Sequence, residues 1–300
     1  MSRILKTILR SGNSERTSLA GSRRGGRAAL LFLLPSVTGM AVFFLLPFAE
    51  TVRRSFMDAR GRNYVGLQSY SAVLSNSAFR LAAFNTAKFI SVCIPLLMGL
   101  SLVMALLVRA VRPRGRAFKT WYLLPMAIPV ASMVLLWQTL FGNYGLMNTL
   151  LVGMGAERVS FMESSAAFWV LIATYVWKNS GYDMILWLVG LDGVSDNLYE
   201  AARVDGANAW QCFRYITLPS LLPTTGLIAI LSLLNSFKVF REAYLVAGSY
   251  PDDSIYLLQH LFSNWFSGLD ISRLCAAATL LAIALFMIVL LLQRLLRERV

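Results

Sequence analysis

Glu200-Ala201-Ala202-Arg203-Val204-Asp205-Gly206-Ala207, running on to Ile216-Thr217-Leu218-Pro219, is a polar stretch set between two long apolar runs. Leu198 to Asp205 has the composition of a short helix, in which Ala201 and Ala202 leave room for another surface to come close. Asp205-Gly206 is a turn signal. Ala207 to Arg214 suits a second short helix, with Trp210 and Phe213 three apart on one face. Leu218-Pro219 ends it, and Pro219 suits the first turn of the next long helix. The segment 192–218 carries Asp192, Asp196, Glu200, Arg203, Asp205 and Arg214, so it cannot cross lipid cheaply. The expectation is a small helix–turn–helix lying along a membrane face. By composition alone it is either a docking element or an ordinary amphipathic interfacial loop.

The flanking chain makes the membrane assignment. It is 57% hydrophobic and 14% charged over 300 residues, against about 25% charged in soluble domains. Apolar runs of spanning length recur at 29–48, 84–108, 118–141, 166–191, 219–240 and 274–295. The fold class expected is therefore an all-α integral membrane protein with six transmembrane helices. Pro35, Pro95, Pro125, Pro129 and Pro223 fall inside these runs and predict kinks. Residues 1–28 form a basic, Gly- and Ser-rich cytoplasmic tail, with no cleavage signature after the first apolar run. Residues 29–300 form the membrane domain. Basic residues number seventeen in the segments that lie inside if the N-terminus is inside, against nine in the outer ones, which predicts N-in, C-in. The loop from Arg109 to Lys119 anchors that assignment best; the first outer loop, with Arg53, Arg54, Arg60, Arg62 and Arg80, runs against it. An interfacial helix is expected around Ser69 to Leu74.

Several function classes fall away. The net charge of +13 is divided among segments separated by apolar spans, unlike a nucleic-acid-binding patch. Cys93, Cys212 and Cys275 form no paired framework, and the single histidine, His260, has no cysteine or histidine cluster around it. No metal, cofactor or catalytic constellation is expected, and His260 reads as a packed polar side chain. No G-x-x-x-x-G-K-[ST] motif occurs, so the chain has no phosphate cradle of its own. No heptads or repeats of 20–50 residues are sustained.

Polar groups inside the fourth and fifth runs are the candidate solute site. Lys178-Asn179-Ser180-Gly181-Tyr182-Asp183 lies mid-span, where each charge costs about 2.5–3.5 kcal/mol. Asn179 and Asp183 share one helix face, Lys178 and Tyr182 another. One of these faces either lines a solute path or makes a structural salt bridge or a contact to a partner. Ser232, Asn235 and Ser236 share a face that either lines a cavity or bonds a neighbouring helix. Asn85, Thr86 and Lys88 are expected near the interface, with Lys88 snorkelling. The segment 240–273 is too polar for a span, but Ile255 to Phe262 suggests that it dips into the bundle. Pro251-Asp252-Asp253 reads as an exposed outer turn, a face open to a soluble partner.

The spacing of the opening stretch resembles a known family. Glu200-Ala201-Ala202, three residues, Gly206, nine residues, Ile216, one residue and Leu218-Pro219 match the E-A-A-x3-G-x9-I-x-L-P signature of ABC importer permeases. Further stretches are similar to its carbohydrate branch of maltose, lactose and glycerol-phosphate permeases. These are Asp205-Gly206-Ala207, Trp210-Gln211 and Phe213; Tyr64-Val65-Gly66-Leu67-Gln68-Ser69-Tyr70; Asn85-Thr86; Tyr122-Leu123-Leu124-Pro125 with Trp137; Gly145-Leu146-Met147-Asn148; and Trp177-Lys178 with Gly181-Tyr182. With six runs rather than eight, the chain is closer to the shorter subunits of that branch. The resemblance implies a type I importer bundle in a multi-pass inner membrane location, in a bacterium. It implies a second permease subunit, two ATP-binding subunits, an extracytoplasmic solute-binding protein and a sugar as partners. Glu200 would contact the ATPase, Ala201 and Ala202 would pack against it, and Asp205, Gly206 and Ala207 would form the turn of the coupling element. ATP-driven motion of this loop would switch the bundle between inward- and outward-open states, with no enzymatic activity in this chain.

Two other readings stay open at this stage. One is an ABC permease for a non-sugar solute, against which the carbohydrate-like stretches count. The other is an ion-coupled secondary transporter, which needs intramembrane carboxylates and often repeats; only Asp183 qualifies.

Overall fold

The computed structural model describes residues 32–111 and 115–297. The expected tail at 1–28 and the basic cluster around Arg112 and Arg114 lie outside the described residues. Among the described residues the chain is helical, apart from one isolated bridge between Met57 and Tyr64. The helices are α1 (Phe32–Ser55), α2 (Gln68–Ser75), α3 (Ser77–Ala110), α4 (Gly115–Ala127), α5 (Val130–Phe141) and α6 (Leu146–Gly153). They continue as α7 (Ala166–Asp192), α8 (Asp196–Val204), α9 (Ala209–Cys212), α10 (Leu222–Ala247), α11 (Leu258–Ser267) and α12 (Ile271–Arg297).

The six-span expectation is met only in part. Helices α1, α3, α10 and α12 are long and apolar enough to cross a membrane, and a fifth candidate arises if the bent pair Trp121–Ala127 and Val130–Gly153 is one span. The run at 118–141 is not one kinked helix. It breaks by 102° between Ala127 and Val130, where Pro129 stands as the N-cap of α5 at ψ 145°. Proline supplies no N–H and biases the residue before it away from helix, so two prolines four apart turn a kink into a break. Helix α7 is 27 residues long yet falls outside the apolar group, because Lys178, Asn179, Ser180 and Asp183 interrupt it.

Local rules account for the other boundaries. Helix α1 continues past the expected end to Ser55 and carries a π turn over Ala41–Leu45, immediately before the α-helical turn that opens at Leu46-Pro47. Proline leaves the preceding carbonyls without an i−4 partner, and a wider turn accommodates this. Arg53 and Arg54 therefore lie on the helix, both bonded to Glu50 at 2.7–2.8 Å. Beyond it, the backbone N–H of Arg62 on Asp58 holds that carboxyl below its ordinary range. A helix forms where one was expected near Ser69, as α2, and it packs on α12. Helix α3 starts where the Asn76 side chain accepts from the Phe79 N–H at 3.0 Å. Pro223 does not kink a span: it sits in the first turn of α10, where its missing N–H has no helical partner to lose. Pro219 opens a separate turn, Leu218–Ser220.

Helix α7 is the centre of the bundle. It packs along α3, α4 and α10, while α12 packs on α1, α2, α10 and α11. Its N-terminal part, with Phe168, Leu171, Tyr175 and Val176, meets Phe89, Cys93, Leu97, Met133 and Trp137. At one end Met184, Trp187, Leu188 and Leu191 meet Ala105, Val108, Leu221 and Ile228. The Trp187 indole N–H donates to Ser101 Oγ at 3.1 Å, which fixes the register of α7 on α3. A Cβ on Gly181 would overlap the Tyr122 carbonyl, so glycine is what lets α4 cross α7 at this point.

The apolar run after α10 enters the core, with Ile255 to Leu258 buried. Ile255 and His260 are fully buried. Asn85 and Thr86 are tied to the segment that follows α10. They are buried, with the Asn85 amide donating to the Asp253 and Tyr256 carbonyls and the Thr86 hydroxyl accepting from Leu258 N–H. Lys88 is exposed, with its ammonium 4.4 Å from the Phe168 ring centre. The expected outer turn is exposed only at Asp253; Pro251 and Asp252 are half-buried.

Candidate functional site

The helix–turn–helix forms as its residues dictate. Helix α8 ends in a Schellman motif. The Gly206 N–H bonds the Arg203 carbonyl at 3.0 Å, and the Ala207 N–H bonds the Ala202 carbonyl at 2.8 Å. Gly206 has φ +82°, a conformation that a Cβ disfavours. Asn208 and Gln211 then form a reciprocal capping box at 2.7 and 2.9 Å, a pairing that their three-residue spacing encodes. The second helix is shorter than expected: α9 runs into a π turn over Phe213–Thr217. Trp210 and Phe213 do share a face, with ring centres 5.6 Å apart.

Glu200, Ala201, Asp205 and Gly206 are exposed, while Ala202 and Ala207 are half-buried. Large apolar side chains stand in the open around them: Leu198, Val204, Trp210 and Tyr215. Behind α8 lies an open cavity of about 380 Å³ lined by Leu106, Arg109, Leu191, Asp196, Tyr199, Glu200, Arg203 and Thr217. Arg109 was read only as part of a basic loop. It reaches across to α7 and α8 instead, a long-range contact that residue spacing does not encode.

The polar residues of α7 separate into two groups. Lys178 forms an ion pair with Glu242 of α10 at 2.5 Å, and both are largely buried. Lys178, Asn179 and Asn235 line a cavity of about 190 Å³ together with Met126, Tyr175, Lys238, Val239, Arg241 and Glu242. Glu242 Oε2 is buried and has no hydrogen-bond partner among the described residues. Asp183 does not line this cavity. It is 2% exposed and accepts from the Ser232 hydroxyl at 2.8 Å, tying α7 to α10. Tyr182 is half-buried beside it. Glu242 escaped the sequence reading because it lies beyond the expected end of the fifth run, whereas α10 continues to Ala247.

His260 is a core side chain. Its Nδ1 accepts from Leu257 N–H at 3.1 Å, capping α11, and Phe240, Tyr244 and Tyr256 surround the ring. Burial pushes its imidazole down to about 4, so it is neutral. Among the described residues no group of three or more His, Cys, Asp or Glu is placed to hold a metal. The three cysteines are buried and free.

A helical membrane bundle with a central polar helix and an exposed helix–turn–helix defines a class of transport subunit. Residues 91–300 match the model of the binding-protein-dependent transport system inner membrane components, and the chain belongs to that family. It is 30% identical over 252 residues to the trehalose/maltose transport system permease protein MalF of Thermococcus litoralis, covering 81% of this chain and 85% of that one. It is 29% identical over 226 residues to the osmoprotective compounds uptake permease protein GgtC of Synechocystis sp., covering 73% and 81%. In fold it is similar to a crystal structure of a bacterial ABC transporter involved in import of the acidic polysaccharide alginate. The TM-score there is 0.80 at 22% identity, covering 94% of this chain and 99% of that one. The chain is thus a multi-pass inner-membrane permease subunit of an ABC importer, a transport protein and not an enzyme.

Proposed function

We propose that this permease imports a sugar or sugar derivative, by alternating access driven by separate ATP-binding subunits that dock on the loop at 192–218. The observation that carries the docking is the exposed Glu200–Ala201 edge of α8, on a loop whose own backbone is closed by the Schellman turn and the capping box. Such a loop behaves as a rigid body, and rigid elements between packed states transmit motion where flexible ones absorb it. Ala201 and Ala202 let the partner approach, Glu200 offers it a carboxylate, and Asp205, Gly206 and Ala207 form the turn between the two short helices.

The solute class rests on the relatives named for trehalose/maltose and osmoprotective compounds and on the chemistry of the α7–α10 cavity. Lys178, Asn179, Asn235 and the open oxygen of Glu242 offer donors and acceptors to hydroxyl groups. Tyr182, Asp183 and Ser232 adjoin this path. The reading takes α1, α3, the α4–α5 pair, α7, α10 and α12 as six spans, N-in and C-in. The assembly contains a second permease, two ATP-binding subunits and an extracytoplasmic solute-binding protein.

The test is purification of the chain from native membranes with its companions. An ATP-binding subunit and a second permease should copurify, and Glu200→Lys should reduce ATPase recovery at least about tenfold, as loss of a central interface residue does, without lowering membrane insertion. Undiminished recovery with the variant would remove the docking role. Radiolabelled uptake of sugars against amino acids by the reconstituted complex decides the solute class.

A further inference from the structure

We infer that Arg109, at the end of α3, is a positioning residue that makes the α8 loop a lever rather than a hinge. The inference rests on the docking role proposed above. The joint between α7 and α8 is only Gly193-Val194-Ser195, and a free joint of that kind would absorb any push on α8 by rotating. One guanidinium spans it. Arg109 Nη1 donates to the Leu191 carbonyl at 2.9 Å on the α7 side, and Nη2 reaches Asp196 Oδ1 at 3.3 Å on the α8 side. Its Cζ stands 5.4 Å from the Tyr199 ring centre, one turn along α8. The Arg109 side chain is 18% exposed, although Asp196 is open to solvent. The far side of α8 is tied as well, since the Tyr199 and Thr217 hydroxyls are 2.9 Å apart, which joins α8 to the turn that leads into α10.

Arginine suits this place for a physical reason. Its planar fork presents two N–H groups in fixed directions, whereas a lysine is a point charge that cannot hold a carbonyl and a carboxylate in one geometry. A push on α8 is thereby delivered to α3 and α7 together, and the buried Trp187–Ser101 bond keeps those two helices in register. With Asp196 open to solvent, the pair adds little stability. Its value lies in joining two rigid elements across a short break.

The experiment measures solute moved per ATP hydrolysed, using the complete importer in proteoliposomes with wild-type, Arg109→Gln and Asp196→Asn chains. The ratio, not either rate alone, reports lever action. Arg109→Gln should lower it about tenfold and Asp196→Asn about threefold, the range expected for side chains that carry coupling. Arg109→Lys should fall between Arg109→Gln and wild type. Transport and hydrolysis falling in step, or a ratio equal to wild type in both Arg109→Gln and Asp196→Asn, would overturn the inference. Loss of ATPase copurification with Arg109→Gln would overturn it too, because the residue would then serve docking. Should Arg109→Gln fail to insert into the membrane, the Asp196→Asn ratio decides alone, since that change touches only the exposed end of the pair. Failure of the docking reading is separate: it shows as undiminished ATPase recovery with Glu200→Lys.

Discussion

Lys178 and Glu242 meet at 2.5 Å across α7 and α10, each largely shielded from water. Neither charge is tolerable there alone. Removing one partner of a buried pair costs about 3–5 kcal/mol because the other is stranded, whereas replacing both with apolar groups is often neutral. Lys178→Met should therefore lower the thermal midpoint of the purified permease sharply, while Lys178→Met with Glu242→Leu should recover most of the loss. Equal midpoints for the single and double variants would mean that solvent or a ligand, not Lys178, satisfies Glu242. The same reasoning assigns Asp183 a different part from Lys178. Its bond to Ser232 ties α7 to α10 within the bundle.

At the scale of the element, the α8 turn depends on one backbone conformation. A Cβ on Gly206 would meet nothing within 4 Å, so any cost of substitution is conformational, not steric against neighbours. With φ at +82°, alanine should cost about 1 kcal/mol. That lowers the equilibrium constant for the ordered turn about fivefold, and the affinity for the ATP-binding subunit should fall by up to that factor. Titration of that subunit onto the permease in nanodiscs checks this, and unchanged affinity for Gly206→Ala would show that the turn is not part of the docked surface. The capping box at Asn208 and Gln211 and the α4–α5 break at Pro129 belong to the same scale. Both follow from short-range rules that are legible in sequence.

At the scale of the molecule, the α8 loop and the loop between α6 and α7 lie on opposite sides of the membrane if the six-span, N-in reading holds. In a background lacking Cys93, Cys212 and Cys275, Arg158→Cys should react with an impermeant maleimide in intact cells. Arg203→Cys should react only after permeabilisation. The reverse pattern would invert the topology. The central place of α7 explains why the least apolar of the long helices is also the most enclosed: α3, α4 and α10 surround it, so its charges face protein rather than lipid.

Much of this protein was determined by sequence alone. The helical membrane class, the helix–turn–helix at 192–218, its turn at Gly206 and its family follow from hydrophobic run length, local backbone preference and fixed spacing, all properties of neighbouring residues. The α4–α5 break was half legible, because prolines predict a disturbance but not its angle. What only the tertiary structure decided is which distant residues meet. Glu242 found Lys178 because α10 continues past its apolar run. Asn85 and Thr86 became donor and acceptor for a buried segment far along the chain. Arg109 left the basic loop to join α7 to α8. Each is a polar side chain satisfied across helices. A buried polar group must find a partner, but no local pattern names it; helix packing does.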